Sequence, residues 1–550
     1  MGKEKIGVFL CDCRDTLSNT INFDALSKSL SGRENVSFVV VNGCLCDQRG
    51  LELIKGTIGK SDGVKRIIIG ACTPRSVTDA LREAVKDAGI DPYFLGIVGL
   101  REWCAWVHDN LKLATEKARL LILGEIAKME RQEPVTSKNL KISPIKPSEK
   151  VDRRGFMRLL AERLVEYRVT PSIERDACLG PKGCRLCLGI CPFDALFIED
   201  KAMSLDKDRC EGCGICVPIC PVGAIEFPTY TDDQVVAQIT ELASPKGTLS
   251  PRVLAFLCGE VSKSLEAVGE KKLRYPPNVL PIVVPCAGMV STPMILYALE
   301  RGADGVVVAS CPHGKCPYKI GDARAKEVAS YAKAVLECFG IDVDRVKAID
   351  ISENTLEEFA HQMVCFIEDI RSLKSHPFPR GEPASVVKGG LQQLASLLET
   401  FSKESPSKAA EIEAPYFGWV DIDSKKCTLC EICSNSCPTE ALKVSKVKSE
   451  IELALLHSLC INCKICENRC PEGAIKVRGI VKFSELGRAA YLLTGELAVC
   501  PQCGSAFASQ QMMRKIRDTI RSHGLKVPDE MKLCQQCRAK VIIMKDILGK

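Results

Sequence analysis

Four short segments of this chain repeat one pattern: CPFDALFI from Cys191, CPVGAIEF from Cys220, CPTEALKV from Cys437 and CPEGAIKV from Cys470. Three further cysteines precede each of them, and the segments fall in two pairs. Loops so short and so dense in thiols have no apolar core of their own, so they must close around something else. The chain as a whole holds 32 Cys and only 6 His in 550 residues. Its amino end runs from Lys5 into IGVFLCDC without a signal-peptide pattern, and no apolar run reaches the roughly 18 residues of a membrane span. A cytoplasmic protein is therefore expected, and in that compartment thiols stay reduced, so the cysteines read as metal ligands rather than disulfides. A hydrophobic fraction of 46% excludes wholesale disorder, and a net charge of +6 with no block of like charges argues against nucleic-acid binding.

The spacing says which metal. In the pattern Cys-x-x-Cys-x-x-Cys-x-x-x-Cys-Pro, three thiolates hold one iron–sulfur cube and the fourth reaches to a second cube. On that reading Cys427, Cys430, Cys433 and Cys470 hold one 4Fe-4S cluster, and Cys460, Cys463, Cys466 and Cys437 its partner. In the earlier pair Cys210, Cys213, Cys216 and Cys191 form one site and Cys178, Cys184, Cys187 and Cys220 the other. The last set departs from the pattern, because LGPKG separates its first two ligands, and a bulged loop is expected there. The ferredoxin modules span 171–230 and 416–480.

Residues 1–130 and 251–375 carry another grammar. Apolar runs such as IGVFL, VSFVVV and VKRIIIG alternate with helical periods, which predicts small α/β domains around parallel sheets. Ligands of such sheets sit beyond the carboxyl ends of the strands, and cysteines lie there repeatedly: Cys11 and Cys13, Cys44 and Cys46, Cys72, then Cys104. Cys11, Cys13, Cys46, Cys72 and Cys104 are taken as ligands of a further iron–sulfur cluster. In the second domain Cys258, Cys286 and Cys311 each end a strand and Cys316 follows in CPHGKC; four thiolates there suit a 2Fe-2S rhomb or a cube. Cys338 and Cys365 fall within helices and read as core. Residues 131–170 read as a linker and a helix (155–169), and residues 376–415 as a second linker. At 495–550, Cys500-Pro-Gln-Cys503 and Cys534-Gln-Gln-Cys537 flank an amphipathic helix; four thiolates in two such turns predict a zinc-ribbon-like module, with rubredoxin-like iron as the alternative. The predicted fold class is thus multidomain α/β and α+β.

The first domain resembles the amino-terminal domain of the heterodisulfide reductase A subunit, through Cys11-x-Cys13, the segment from Cys46 to Ile54, Ala71-Cys72-Thr73-Pro74-Arg75 and Arg101-Glu102-Trp103-Cys104. Residues 251–375 resemble the delta subunit of methyl-viologen-reducing hydrogenase, through Pro276-Pro277-Asn278-Val279, Cys286-Ala287-Gly288, Gly302-Ala303-Asp304 and Cys311-Pro312-His313-Gly314-Lys315-Cys316. The resemblance implies an iron–sulfur site in the first domain, a 2Fe-2S cluster in the second, frequent homodimerisation and a role in passing electrons. It also sets off an absence: the reductase A subunit normally carries a flavin domain opened by a Gly-x-Gly-x-x-Gly turn, and this chain has none, so no FAD is expected on this chain alone.

Four 4Fe-4S clusters, one 2Fe-2S, one further amino-terminal cluster and one zinc make the chain read as an electron-transfer subunit of an anaerobic oxidoreductase complex, without a substrate site of its own. The resemblance implies heterodisulfide-reductase B- and C-like subunits, a hydrogenase, formate dehydrogenase or flavoprotein as partners. The rival reading is a thiol/disulfide oxidoreductase using the amino-terminal Cys-x-Cys motifs, which requires an exposed thiol of low pKa. A redox sensor would require a DNA-binding element, and the sequence offers none.

Overall fold

A computed structural model describes residues 4–72, 74–136, 140–144, 165–200, 202–244, 247–373, 390–404 and 407–548. The chain divides into two compact units, one of Met1–Cys178 with Leu186–Leu397, the other of Leu179–Arg185 with Leu398–Lys550.

The first unit opens with β1 (Lys5–Cys11), α1 (Phe23–Ser31), β2 (Val36–Asn42), α2 (Gln48–Lys60), β3 (Val64–Ala71), α3 (Pro74–Asp87), β4 (Leu95–Gly99) and α4 (Leu111–Met129). The strands form one parallel sheet in the order β2-β1-β3-β4, with Val8 opposite Val39 and Ile68. β1 and β3 are apolar because helices cover both faces; Ile6, Val8, Phe9, Leu10, Ile67, Ile68 and Ile69 are buried. The helices start where short polar side chains cap them: Asn22 accepts from Ala25 N–H, Asp47 from Gly50 N–H and Asn110 from Leu113 N–H.

Residues 140–144 and 165–169 pair antiparallel, β5 (Leu140–Pro144) with β6 (Val165–Val169). The expected linker thus contributes a strand, and 165–169 is strand rather than helix; its β-branched and aromatic residues, VEYRV, suit a pleated ladder better than a helical face. Residues 155–164 of the expected helix lie outside the described residues. Two short antiparallel pairs follow around the first thiol-rich loops: β7 (Ser172–Ile173) with β10 (Ile225–Glu226), and β8 (Leu196–Glu199) with β9 (Ala202–Leu205). Helix α5 (Asp232–Ala243) begins in a capping box of Thr231 and Gln234.

The second α/β domain comprises β11 (Val253–Cys258), α6 (Gly259–Glu270), β12 (Val279–Val284), α7 (Thr292–Glu300), β13 (Gly305–Ser310), α8 (Gly321–Cys338), β14 (Val346–Asp350) and α9 (Leu356–Ser372). Its parallel sheet runs β12-β11-β13-β14, the same strand order as the first. Cys338 and Cys365 are half-buried rather than core, and Cys365 Sγ faces His361 Nε2 at 3.6 Å on the outer side of α9. Where the second linker is expected, residues 390–404 form α10 (Gly390–Glu404): GLQQLASLLETF carries an apolar stripe at helical spacing, and Leu391, Leu394, Ala395, Leu397, Leu398 and Phe401 are buried.

The second unit is built on β16 (Trp419–Ile422) paired with β19 (Ile475–Arg478), and on an antiparallel sheet in which β17 (Leu442–Val447), β18 (Glu450–Leu456), β21 (Ala489–Val499) and β22 (Ala506–Ser509) lie side by side. A further pair joins β15 (Glu411–Glu413) to β20 (Ile480–Lys482). α11 (Ile432–Asn435) and α12 (Ile465–Arg469) are single turns inside the thiol loops, and α13 (Gln510–Ser522) and α14 (Gln535–Leu548) follow the sheet.

Candidate iron–sulfur and metal sites

The thiol loops of the second unit turn where the backbone twists left-handed. After Cys427 the second and fourth residues, Leu429 and Glu431, have φ of 53° and 67°; after Cys460 the same places are Asn462 and Lys464, at 51° and 57°. In the first unit the loop after Cys210 reaches that twist with glycine, Gly212 at 66° and Gly214 at 73°. Successive turns of this kind swing three thiols to one side of the loop.

Two cavities result in the second unit. One, of about 20 Å³, is walled by Cys427, Cys430, Cys433 and Cys470, with Leu429, Val444 and Ile475. The other, about 10 Å³, is walled by Cys437, Cys460, Cys463 and Cys466, with Leu442 and Val477. Each takes three thiols from one loop and the fourth from the other motif. Burial pushes the Cys433, Cys460 and Cys466 thiols up to about 12, a strong bias against free thiolates unless a cation replaces the protons. Backbone N–H groups supply part of that compensation: Ala474 N–H donates to Cys470 Sγ at 3.3 Å. A side chain at Gly418 would place its Cβ 2.6 Å from Cys460 Sγ. Buried His457 holds this strand by joining Gly418 O to Lys482 N–H, at 3.1 and 3.0 Å.

In the first unit, Cys213 and Cys216 are each charge-coupled to Cys210 and Cys191, and Cys216 also to Cys187; Cys220 is coupled to Cys178. The amide of the Ala four residues after the repeat Cys again points at sulfur: Ala195 to Cys191 at 3.4 Å and Ala224 to Cys220 at 3.1 Å. Cys184 stands half-buried on the segment Leu179–Arg185, where a 3-10 turn at Gly180–Lys182 ends on Gly183 with φ of 101°.

Both parallel sheets gather thiols at their switch point, between the first and third strands, where the chain leaves in opposite directions and a crevice opens. Cys13 Sγ, after β1, lies 3.4 Å from Cys72 Sγ, after β3. Cys258 Sγ, ending β11, lies 3.6 Å from Cys311 Sγ, after β13. The second crevice also receives Cys286 and Cys316: a Cβ on Gly321 would collide with Cys286 Sγ and sit 3.0 Å from Cys316 Sγ. Hydrogen bonding to Cys316 and burial push Cys286 up; bonds to Cys258 and Cys316 do the same to Cys311, and Cys316, bonded by Cys286 and Cys311, is held down to about 2. The four thiols therefore perturb one another as close neighbours do.

In the first crevice Cys44 Sγ sits 3.6 Å from Cys46 Sγ, and Cys11, buried, is coupled to Cys13 and Cys44. Strand-end position marks Cys44 as well as it marks Cys46, and the geometry brings both in. It leaves Cys104 apart, fully buried with its thiol pushed up to about 12 and facing Lys117. The guanidinium of Arg101, ion-paired to buried Glu102, faces Cys72 and Cys13 instead.

Cys213 Sγ is also charge-coupled to Cys286. The loops that carry them interlock: a Cβ on Gly214 would come 2.6 Å from Met289 Sδ, and one on Gly288 3.1 Å from Ile215 Cγ1. Lys319 Nζ donates to Pro192 O at 2.9 Å.

At the carboxyl end the sulfurs of Cys500, Cys503, Cys534 and Cys537 all lie within 4.8 Å of one another, the one such group among the described residues. A single tetrahedral ion with bonds of about 2.3 Å holds its sulfurs about 3.8 Å apart, and Cys503 and Cys534 lie at 3.6 Å. A four-iron cube spreads its thiolates wider, as the walls of the two cavities do.

Fold and sites together define a multi-centre iron–sulfur protein built from ferredoxin-type loops and thiol-bearing α/β domains. Comparison with known families agrees: residues 203–226 match the 4Fe-4S binding domain, residues 426–475 the 4Fe-4S dicluster domain, and residues 253–374 the methyl-viologen-reducing hydrogenase delta subunit. The chain is similar to the A subunit of heterodisulfide reductase. It is 32% identical over 202 residues to the A subunit of the ferredoxin:CoB-CoM heterodisulfide reductase of Methanosarcina mazei, covering 36% of this chain and 25% of that protein. It is 34% identical over 202 residues, with the same coverage, to the A subunit of the ferredoxin/F(420)H(2)-dependent CoB-CoM heterodisulfide reductase of Methanosarcina acetivorans. A protein of Archaeoglobus profundus described as like the heterodisulfide reductase A subunit is 34% identical over 140 residues, 25% of this chain and 20% of that one. The chain thus spans a quarter or less of the length of these relatives. Among the described residues no helix is long and apolar enough to cross a membrane.

Proposed function

We propose that the chain is an electron-transfer subunit of a heterodisulfide-reductase-type complex and that its thiol sites are successive stations of one relay. The observation that carries this is that Cys213 and Cys286 pack in one buried cluster with Ile215, with Cys316 against it, which supports a ferredoxin-type site next to the four-thiol crevice of the second α/β domain. Within the second unit Cys433 and Cys466 are likewise coupled across the two cavities. Iron–sulfur groups, when bound, accept and release single electrons without breaking bonds. The chain's own part is to fix the thiols, to exclude water from them and to aim amides at sulfur, as Ala195, Ala224 and Ala474 do.

The assignment we favour is four 4Fe-4S clusters on the sixteen ferredoxin cysteines and a 2Fe-2S on Cys258, Cys286, Cys311 and Cys316, for which the close pairing of Cys258 with Cys311 speaks. A further cluster belongs to the amino-terminal crevice, with Cys44 added to Cys11, Cys13, Cys46 and Cys72 and Cys104 left out. Zinc on Cys500, Cys503, Cys534 and Cys537 follows from the tight approach of those sulfurs. Partners of the B and C type, a hydrogenase, formate dehydrogenase or flavoprotein as donor, a homodimer within the complex and a cytoplasmic location complete the reading. The dithiol alternative is disfavoured, because burial holds Cys11 up at about 11 and raises Cys46 as well, the reverse of a nucleophilic thiol.

Anaerobic co-purification of the full chain, with iron, zinc and flavin analysis and low-temperature EPR, tests the proposal. Signals of several reducible clusters without stoichiometric flavin are expected; hydride exchange catalysed by the isolated chain would refute a pure relay.

A further inference from the structure

The last forty residues carry a local positive excess. Residues 511–550 hold ten Lys and Arg against four Asp and Glu, a surplus equal to the +6 of all 550 residues. On α13, Arg514, Arg517 and Arg521 follow one another at helical spacing, and Lys526 and Lys540 are exposed beyond it. The same module exposes large apolar side chains: Leu525 is 64% exposed, Ile543 55% and Met544 63%. Exposed apolar groups set among like charges mark a contact surface rather than an ordinary solvated face.

This module is seated on the wall of one cavity. Ser509 Oγ donates to Thr428 O, Lys515 pairs with Glu472, and a Cβ on Gly495 would meet Leu429 Cδ1 at 2.6 Å. Thr428, Leu429 and Glu472 all line the cavity of Cys427, Cys430, Cys433 and Cys470. Whatever docks on the module is brought beside that cavity.

We infer that this basic, partly apolar surface docks a small acidic electron-carrier protein and makes the Cys427 cavity the port through which electrons enter or leave the second unit. The inference rests on the relay reading above. Charge complementarity selects the occupant: a basic rim speeds encounter with an acidic protein, and such redox encounters use small interfaces. In the transfer one electron leaves the reduced carrier and enters the iron–sulfur group held by these thiols. The carrier is oxidised and the chain reduced, with no bond formed or broken and no proton moved.

The test uses the full chain, loaded with its clusters, and the triple variant Arg514→Glu, Lys526→Glu, Lys540→Glu. None of these residues is a thiol or one of the Ser509 and Lys515 anchors. A photoreduced acidic two-cluster ferredoxin serves as the probe, its binding is followed by titration calorimetry, and dithionite is the small-molecule control. For the parent, the second-order rate with the carrier falls steeply with salt; in the variant it drops about tenfold or more at low salt, calorimetric binding weakens in step, and dithionite reduces both chains alike. Equal carrier rates and equal binding for parent and variant overturn the docking proposal while the dithionite signal leaves the relay standing. Absence of any reducible cluster overturns both. Binding of phosphatidylserine vesicles that the variant abolishes, with the carrier rate unchanged, assigns the surface to a membrane and overturns the proposal.

Discussion

Lys117 offers the sharpest test of the first unit's packing. Its side chain is fully buried, with Nζ 3.1 Å from His108 Nε2 and 3.0 Å from the Tyr275 hydroxyl, and the buried Cys104 thiol is its neighbour. Burial lowers its pKa from 10.5 to about 7, against a weaker pull upward from Cys104, and burial with Lys117 holds His108 neutral. Because the folded-state pKa is the lower one, the unfolded chain binds more protons between pH 7 and 10.5, and stability must rise with pH across that window. The slope approaches about 1.4 kcal/mol per pH unit, and the accumulated penalty at pH 7 is about 4 kcal/mol. Lys117→Met removes the penalty together with two hydrogen bonds, worth about 1–2 kcal/mol, while Tyr275 keeps its bond to Trp103 O. The variant should therefore be more stable than the parent near pH 7 by about 2–3 kcal/mol, and lose that advantage near pH 10. Pulse proteolysis in urea, read on peptides from residues 111–129 across this range, gives both curves. A parent whose stability falls relative to Lys117→Met as pH rises would refute the argument.

Three further outcomes are expected. Cys470→Ser removes the thiol that crosses to the first cavity, and the anaerobically reconstituted chain should carry about four irons fewer, whereas Cys338→Ser leaves iron unchanged. Cys534→Ser should abolish zinc by metal analysis while iron stays within about one atom of the parent. Gly50→Val would drive a side chain into Cys44 O and the Leu45 backbone at the start of α2. A clash of that kind costs about 1–3 kcal/mol, visible as a lower melting temperature, and should weaken the spectrum of the amino-terminal site.

The sites legible in the sequence are those whose spacing is itself the geometry. The crossing of Cys437 and Cys470 between cavities follows from the repeat, since three close thiols cannot surround a group without a remote fourth. Strand order is harder to read, yet the strand-end positions of Cys13, Cys72, Cys258 and Cys311 already point to a crevice, and the sheets bring these pairs to 3.4 and 3.6 Å. Cys104 follows soon after β4 in the chain, and the turn at Arg101–Ala105 buries it beside Lys117. The left-handed twist at Leu429, Glu431, Asn462 and Lys464 is not legible, because none of these is the glycine that ordinarily announces it. Helix α10 is hidden by flanking Pro, Ser and Lys that resemble a linker. Its signal is the spacing of Leu391, Leu394, Leu397 and Leu398.

The two α/β domains share more than a strand order. In each, the thiol that follows the first strand meets the thiol that follows the third, and the loop after the second strand supplies the next, Cys44 and Cys46 in one and Cys286 in the other. A parallel sheet of order 2-1-3-4 opens a crevice only there, so any sequence that places cysteines after its first three strands will gather them whether or not its loops carry a compact motif. The ferredoxin loops reach the same end by backbone twist, with left-handed residues at fixed offsets from the first Cys. Sulfur spacing bears on the assignments proposed above: a pair near 3.6 Å suits two thiolates on one metal ion, while the ferredoxin thiols, which form no such close set among the described residues, suit a larger group. The amino-terminal crevice, with close pairs Cys13–Cys72 and Cys44–Cys46, falls on the side of the second α/β domain rather than of the ferredoxin cavities. Its cluster should accordingly resemble that domain's in the number of irons it holds.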